Sequence, residues 1–89
     1  MIQLHYNHTV KCEHPYFELV WNGIKTFEYR RNDRMYRITD TITMIEYFGN
    51  DVFGERKIHA VISYIYGIPD SEYVILQLKD ITNVLPNPA

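Results

Sequence analysis

Disulfide bonding has no place in this sequence. Among 89 residues there is one cysteine, Cys12, so no intramolecular bridge can form, and a reducing, cytoplasmic setting is expected. No apolar run approaches the roughly 20 residues needed to cross a bilayer. The N-terminus shows no basic stretch followed by an apolar one, so neither a membrane span nor a leader is expected. Metal-ligand clustering is also lacking. His5 and His8 lie three apart, a spacing that serves a metal only on a helix or with further ligands, and no matching His/Cys cluster accompanies them. We therefore expect no metal and no cofactor. Bulk positive charge is absent too: the formal net charge is −2, which excludes a polycation. There is no internal repeat and no low-complexity segment, and residues 1–89 read as a single small domain with one modest core.

What is present is unevenly distributed. Five of the nine Lys and Arg residues lie between Lys25 and Arg37, against Glu28 and Asp33, so this strip carries +3 and the remainder −5. A local basic strip on a mildly acidic body suits a specific anionic ligand better than general adhesion to nucleic acid. The eight tyrosines supply large contact areas with polar tips, useful in a small core or on a binding face.

The pattern of residues predicts one helix and five extended segments. Met1–Cys12 reads as an extended start, with Ile2 and Leu4 alternating with polar residues. A helix is expected over Glu13–Asn22. Pro15 sits in its first turn, Glu13 and Glu18 complement its positive end, and Phe17, Val20 and Trp21 form its apolar stripe, widened by Tyr16 and Leu19. Gly23 provides a left-handed stop. Strands are expected over Lys25–Arg31, Thr41–Phe48, Arg56–Tyr66 and Tyr73–Lys79, the last with Val74, Leu76 and Leu78 inward. Turns fall at Gly49–Asp51, at Gly54 and around Pro69. Residues 80–89, with two prolines, read as an edge or tail. The resulting order, β–α–β–β–β–β, predicts an α+β fold: a small mixed β-barrel with one early helix packed at its side.

The stretch Asn22–Asp33, NGIKTFEYRRND, organises the rest. In a strand, Thr26, Glu28 and Arg30 share one face while Phe27 and Tyr29 share the other. The aromatic face is expected to point to the core. On the polar face, Glu28 beside Arg30 reads either as a weak surface ion pair or as a cleft in which the acid holds the arginine for a ligand. Lys25, just past the helix, reaches over that face. Glu46, on the parity of Ile42 and Met44, is placed at a barrel rim or in a cleft. Cys12 reads as core filler and Trp21 as core, and Tyr29 and Tyr47 read as core packing before stacking platforms.

The pattern G-x-K-x-x-E-x-R formed by Gly23, Lys25, Glu28 and Arg30, immediately after the helix, resembles the ASCH domain, a branch of the PUA-like superfamily. The match is nearest to a subgroup of small bacterial and phage proteins of unknown function. It extends to His8-x-x-Lys11 before the helix, to Ile45–Tyr47 and to the closing Tyr73–Leu76, so it covers about residues 8–78. The subgroup's Gly-Asp before the third strand is replaced by Thr39-Asp40, which suggests a slightly different turn. The resemblance implies a PUA-like barrel and an RNA- or nucleotide-binding cleft between helix and barrel, lined by Lys11, Lys25, Glu28, Arg30, Arg31 and Asn32. Lys25 and Arg30 would contact phosphate or a base edge.

Two other readings stand beside this one. Some small ASCH proteins hydrolyse the amide of an acetylated cytidine with a lysine, a threonine and a glutamate. On this sequence Lys25 matches the lysine, Glu28 occupies the threonine's place, and Glu46 is a candidate acid, so an amidohydrolase would rest on Lys25 and Glu28. A non-catalytic protein–protein modulator, using the arginines between Arg30 and Arg37, is the third reading.

Overall fold

A computed structural model describes residues 5–68 and 70–86. The expectations for Ile2, Leu4, Pro69 and the last three residues lie outside the described residues. Five strands and one helix follow the expected order: β1 (Asn7–Glu13), α1 (His14–Trp21), β2 (Phe27–Arg31), β3 (Thr41–Gly49), β4 (Val52–Tyr66) and β5 (Tyr73–Val84). The strands form one sheet in the order β1-β3-β4-β5-β2, curled into a half-barrel. β1 runs parallel to β3, and every other neighbouring pair is antiparallel. Both edges of the sheet are thus the first two strands in sequence. Among the described residues no helix is long and apolar enough to cross a membrane.

The core lies inside the curl. Ile42 and Met44 of β3, Ile58, Ala60 and Ile62 of β4, and Val74, Leu76 and Leu78 of β5 are buried there, as alternation requires. Val10 and Cys12 of β1 join them, and α1 caps the cluster with Phe17 and Val20. Trp21 packs against this cluster only partly buried. Pro15 occupies the first turn of α1. Glu13 is the N-cap residue, so the helix starts one residue later than expected, and Glu18 is engaged by Arg56 instead of serving the helix start. Gly23 takes a φ of 74°, the left-handed stop foreseen for it.

Between β3 and β4, Gly49 pairs with Val52. Asn50 and Asp51 both have positive φ, 51° and 59°, the backbone of the two-residue hairpin turn that matches strand twist.

The structure corrects four expectations. The faces of β2 are reversed: Glu28 is 3% exposed, whereas Phe27 and Tyr29 are 43% and 62% exposed. β4 begins at Val52, so Gly54 lies inside a strand and is not a bend. Its register shifts between Ile62 and Tyr64, and this bulge moves Tyr64 and Tyr66 from the core parity to the outer face. β5 continues through Asp80, whose φ of 52° marks a second bulge, to Val84. Thr39, in the turn before β3, adopts a φ of 79°, a left-handed conformation in which a β-branched residue is strained. That turn is held by Asp40, which is buried and accepts from the backbone N–H groups of Tyr6 and Arg37 at 3.2 and 3.1 Å, with His8 Nε2 at 2.8 Å.

Candidate ligand cleft at the sheet seam

The half-barrel leaves a seam between its two edge strands, and side chains bridge it. β2 pairs with β5 so that Glu28 lies opposite Leu76 and Arg30 opposite Val74, both on the inner face. Arg30 Nη1 crosses the seam to donate to the carbonyl of Lys11 in β1 at 2.9 Å, and donates to Glu28 Oε2 at 3.2 Å. The Cys12 thiol, also from β1, donates to Glu28 Oε1 at 3.7 Å. Lys25 is placed by the helix end: the N–H groups of Ile24 and Lys25 both donate to the carbonyl of Leu19. Its ammonium therefore lies 3.4 Å from Glu28 Oε1, near the rings of Tyr16 and Phe27.

Burial works against the charge on Arg30, but the adjacent Glu28 outweighs it and raises its pKa above the ordinary value. The Tyr36 hydroxyl is buried beside this guanidinium; burial raises its pKa, with the Arg30 charge acting in opposition. Cys12 is pushed up to about 12, first by burial and then by the Glu28 charge. The thiol is accordingly a neutral donor at physiological pH, not a nucleophile.

These groups surround a cleft of about 540 Å³ between α1, β1 and β2. Lys11, Lys25, Arg30 and Arg31 oppose Glu13 and Glu28 in its lining, a balance of +2, and Tyr16, Leu19, Phe27 and Tyr29 form apolar walls. Such a site offers cationic donors to an anion and ring faces to a flat group.

Five of the residues singled out in the sequence meet here: Lys11, Lys25, Glu28, Arg30 and Arg31. Two do not. Asn32 turns away, its side-chain amide donating to the carbonyl of Ser71 at 3.2 Å. Glu46 is buried on β3 and does not line the cleft. It receives Arg56 Nη2 at 2.5 Å and Nε at 3.1 Å, with His14 Nδ1 at 2.9 Å, while Arg56 Nη2 also reaches Glu18. The Arg56 guanidinium lies over the rings of Trp21 and Phe17, so this network clamps α1 to the sheet. Ligand atoms of His14, Glu18 and Glu46 lie within 4.8 Å of one another, and Arg56 already supplies a cation to the two carboxylates. Sequence reading missed the network because its members are spread over residues 14–56. Arg56 on the same strand parity as inward Ile58 was the available signal.

The site and fold define a small α+β domain with a charged cleft closed by side chains across an open seam. Residues 7–78 match the family described as Domain of unknown function (DUF3850), and the chain belongs to that family. It is also similar to an uncharacterized 12.9 kDa protein in the GpA 3' region of Escherichia phage P2. The two are 36% identical over 81 residues, which cover 89% of this chain and 72% of the relative.

Proposed function

We propose that the seam cleft binds RNA or a nucleotide. One observation carries this reading: Lys25 and Arg30 flank the buried Glu28 carboxylate in a cleft whose lining also includes Lys11, Arg31 and aromatic walls. Cations alone would suit any anion. Aromatic walls add a preference for a flat ring, and Glu28 adds an acceptor for a base amino group. The resemblance to the ASCH domain supports the same cleft. In this reading Lys11 and Lys25 contact phosphate, Arg31 does so from the rim, and Arg30 holds Glu28 in place.

A thermal-shift screen against nucleosides, nucleotides and short RNAs, at low and high salt, tests it, because a ligand bound only by the folded state raises the melting temperature. We expect phosphate-bearing ligands to stabilise the protein more at low salt. Lys11→Ala and Lys25→Ala should each weaken RNA binding and reduce the salt slope by about one. Tight binding that survives high salt and both substitutions overturns the reading, and silence throughout favours a protein partner.

A hydrolytic reading on an acylated nucleoside is favoured by one contact, Lys25 Nζ at 3.4 Å from Glu28, a pairing of amine and carboxylate suited to proton transfer. Thr26 is exposed, and Glu28 stands where the resembled enzymes place threonine. Turnover of acetylated cytidine that vanishes in Lys25→Ala would establish this chemistry, and absence of turnover at high enzyme concentration removes it.

A further inference from the structure

The reversed face of β2 and the bulge in β4 place aromatic rings together on the outside of the sheet. Across the three antiparallel strands, Tyr29 lies opposite Ile75, which lies opposite Tyr66; one row along, Phe27 lies opposite Gln77, which lies opposite Tyr64. Tyr64 and Tyr66 are 52% and 51% exposed. The rings are already ordered in pairs: Tyr29 stacks on Tyr73 with centroids 5.2 Å apart, and Tyr64 meets Tyr66 edge-on at 4.9 Å. Arg31 lies over Tyr73 and is held by Glu72 at 3.6 Å.

This face is continuous with the cleft, since Phe27, Tyr29 and Arg31 belong to both. We infer that the outer face of β2, β5 and β4 is a base-stacking platform that carries single-stranded RNA out of the cleft, an inference that rests on the nucleic-acid reading of that cleft. Tyr29 with Tyr73 forms the first stacking station, and Tyr64 with Tyr66 the second. Arg31, released from Glu72, meets the phosphate at the boundary. Two features favour RNA over a second copy of the chain. The large rings are mostly tyrosines, whose polar tips keep the face wetted, with only half-buried Ile75 as an aliphatic member of the grid. The cation sits at the junction with a cleft of net positive charge, where a polyanion enters. Ring faces accept any base, so the platform extends binding without adding sequence preference.

The test compares labelled oligouridylates of about 4 and about 12 nucleotides, the shorter filling the cleft and the longer reaching the platform. For the wild type, the longer oligomer should bind more tightly. Tyr64→Ala/Tyr66→Ala should weaken the longer one about ten-fold or more and leave the shorter one unchanged, while Tyr64→Phe/Tyr66→Phe, which keeps the rings, should retain wild-type affinity. Equal affinity of wild type for both lengths, or no effect of the alanine pair, overturns the platform and leaves the cleft reading standing. Binding of neither oligomer overturns both. A wild-type dimer that the alanine pair dissociates, with RNA affinity unchanged, overturns the platform in favour of self-association.

Discussion

Arg30 on one edge strand donates to the backbone carbonyl of Lys11 on the other at 2.9 Å, so a guanidinium does across the seam what a backbone ladder does elsewhere in the sheet. The same group neutralises Glu28 at 3.2 Å. Removing it opens the seam and leaves a buried carboxylate with Lys25 as its remaining cation. Arg30→Met is expected to lower stability by about 2–3 kcal/mol, less than the full cost of orphaning a buried charge because Lys25 stays. Urea unfolding measures this. Arg31→Met, which breaks an exposed pair with Glu72 and exposed contacts with Tyr73, is the comparison, and equal losses in the two variants would show that the seam contact carries no stability.

Thr39 holds a φ of 79°, a conformation that a β-branched residue adopts only under constraint. Its N–H donates to the Ile62 carbonyl at 2.7 Å, which fixes the turn. Thr39→Gly should relieve the strain and raise stability by about 1 kcal/mol. The gain is reduced by the greater freedom of glycine in the unfolded chain. A melting temperature at or below that of wild type would show that the Thr39 hydroxyl, 3.2 Å from His5 Nδ1, matters more than the backbone.

Gly54 has no room for a side chain. A Cβ there would clash with Glu46 Oε1, and Glu46 cannot simply swing aside because Arg56 and His14 hold it. Gly54→Ala is expected to cost about 1–3 kcal/mol. In a Glu46→Ala background the clash is gone, so the same substitution should cost much less. A double-mutant cycle reads the difference, and strict additivity would refute the steric explanation.

Two carboxylates make stability depend on acid. Arg56, then burial acting in opposition, then His14 set Glu46, and the net result is a pKa below its ordinary 4.5. For Asp40 burial pushes upward, but bonds from His8, Tyr6 and Arg37 outweigh it and hold the group below 3.8. A depressed folded pKa means that the unfolded chain binds protons first. The stabilisation is therefore full above the ordinary values and is lost as pH falls through the lower folded ones. Wild type should destabilise steeply below about pH 4, and Glu46→Gln should flatten that slope while lowering stability at pH 7. Parallel pH profiles for wild type and Glu46→Gln would disprove the assignment.

The element order, the inward sets of the central strands, and the helix start at Pro15 and stop at Gly23 were legible because each follows from local pattern. So was the gathering of Lys11, Lys25, Glu28 and Arg30, through the motif and its resemblance. The orientation of β2 was not. Alternation shows which residues share a face but not which face turns inward, and hydrophobicity pointed to Phe27 and Tyr29. Charges won the interior because Lys25, Arg30 and Cys12 converge there to satisfy Glu28, a condition set by strands distant in sequence. The bulge at Ser63 was invisible for a related reason: Ile58 through Tyr66 alternates without interruption, and the register shift exists only against β5. Glu46 lacked a partner in the sequence reading because Arg56 comes alongside only when the β3–β4 hairpin closes.

The topology also fixes when the cleft can come into being. Each residue of β1 pairs with one 34 positions later, from Asn7 with Thr41 to Glu13 with Tyr47. β2 waits longer still, since Phe27 pairs with Gln77. The β3–β4 hairpin closes over two residues and needs nothing else. Long loop closures are entropically slow, so the hairpin is the natural nucleus and both edge strands dock afterwards. Lys11 and Cys12 have no sheet to join until β3 follows them in the chain, and Glu28 and Arg30 acquire theirs only with β5. No fragment that stops before β5 pairs β2, and the charged groups that meet at the seam remain in water until the fold around them is complete.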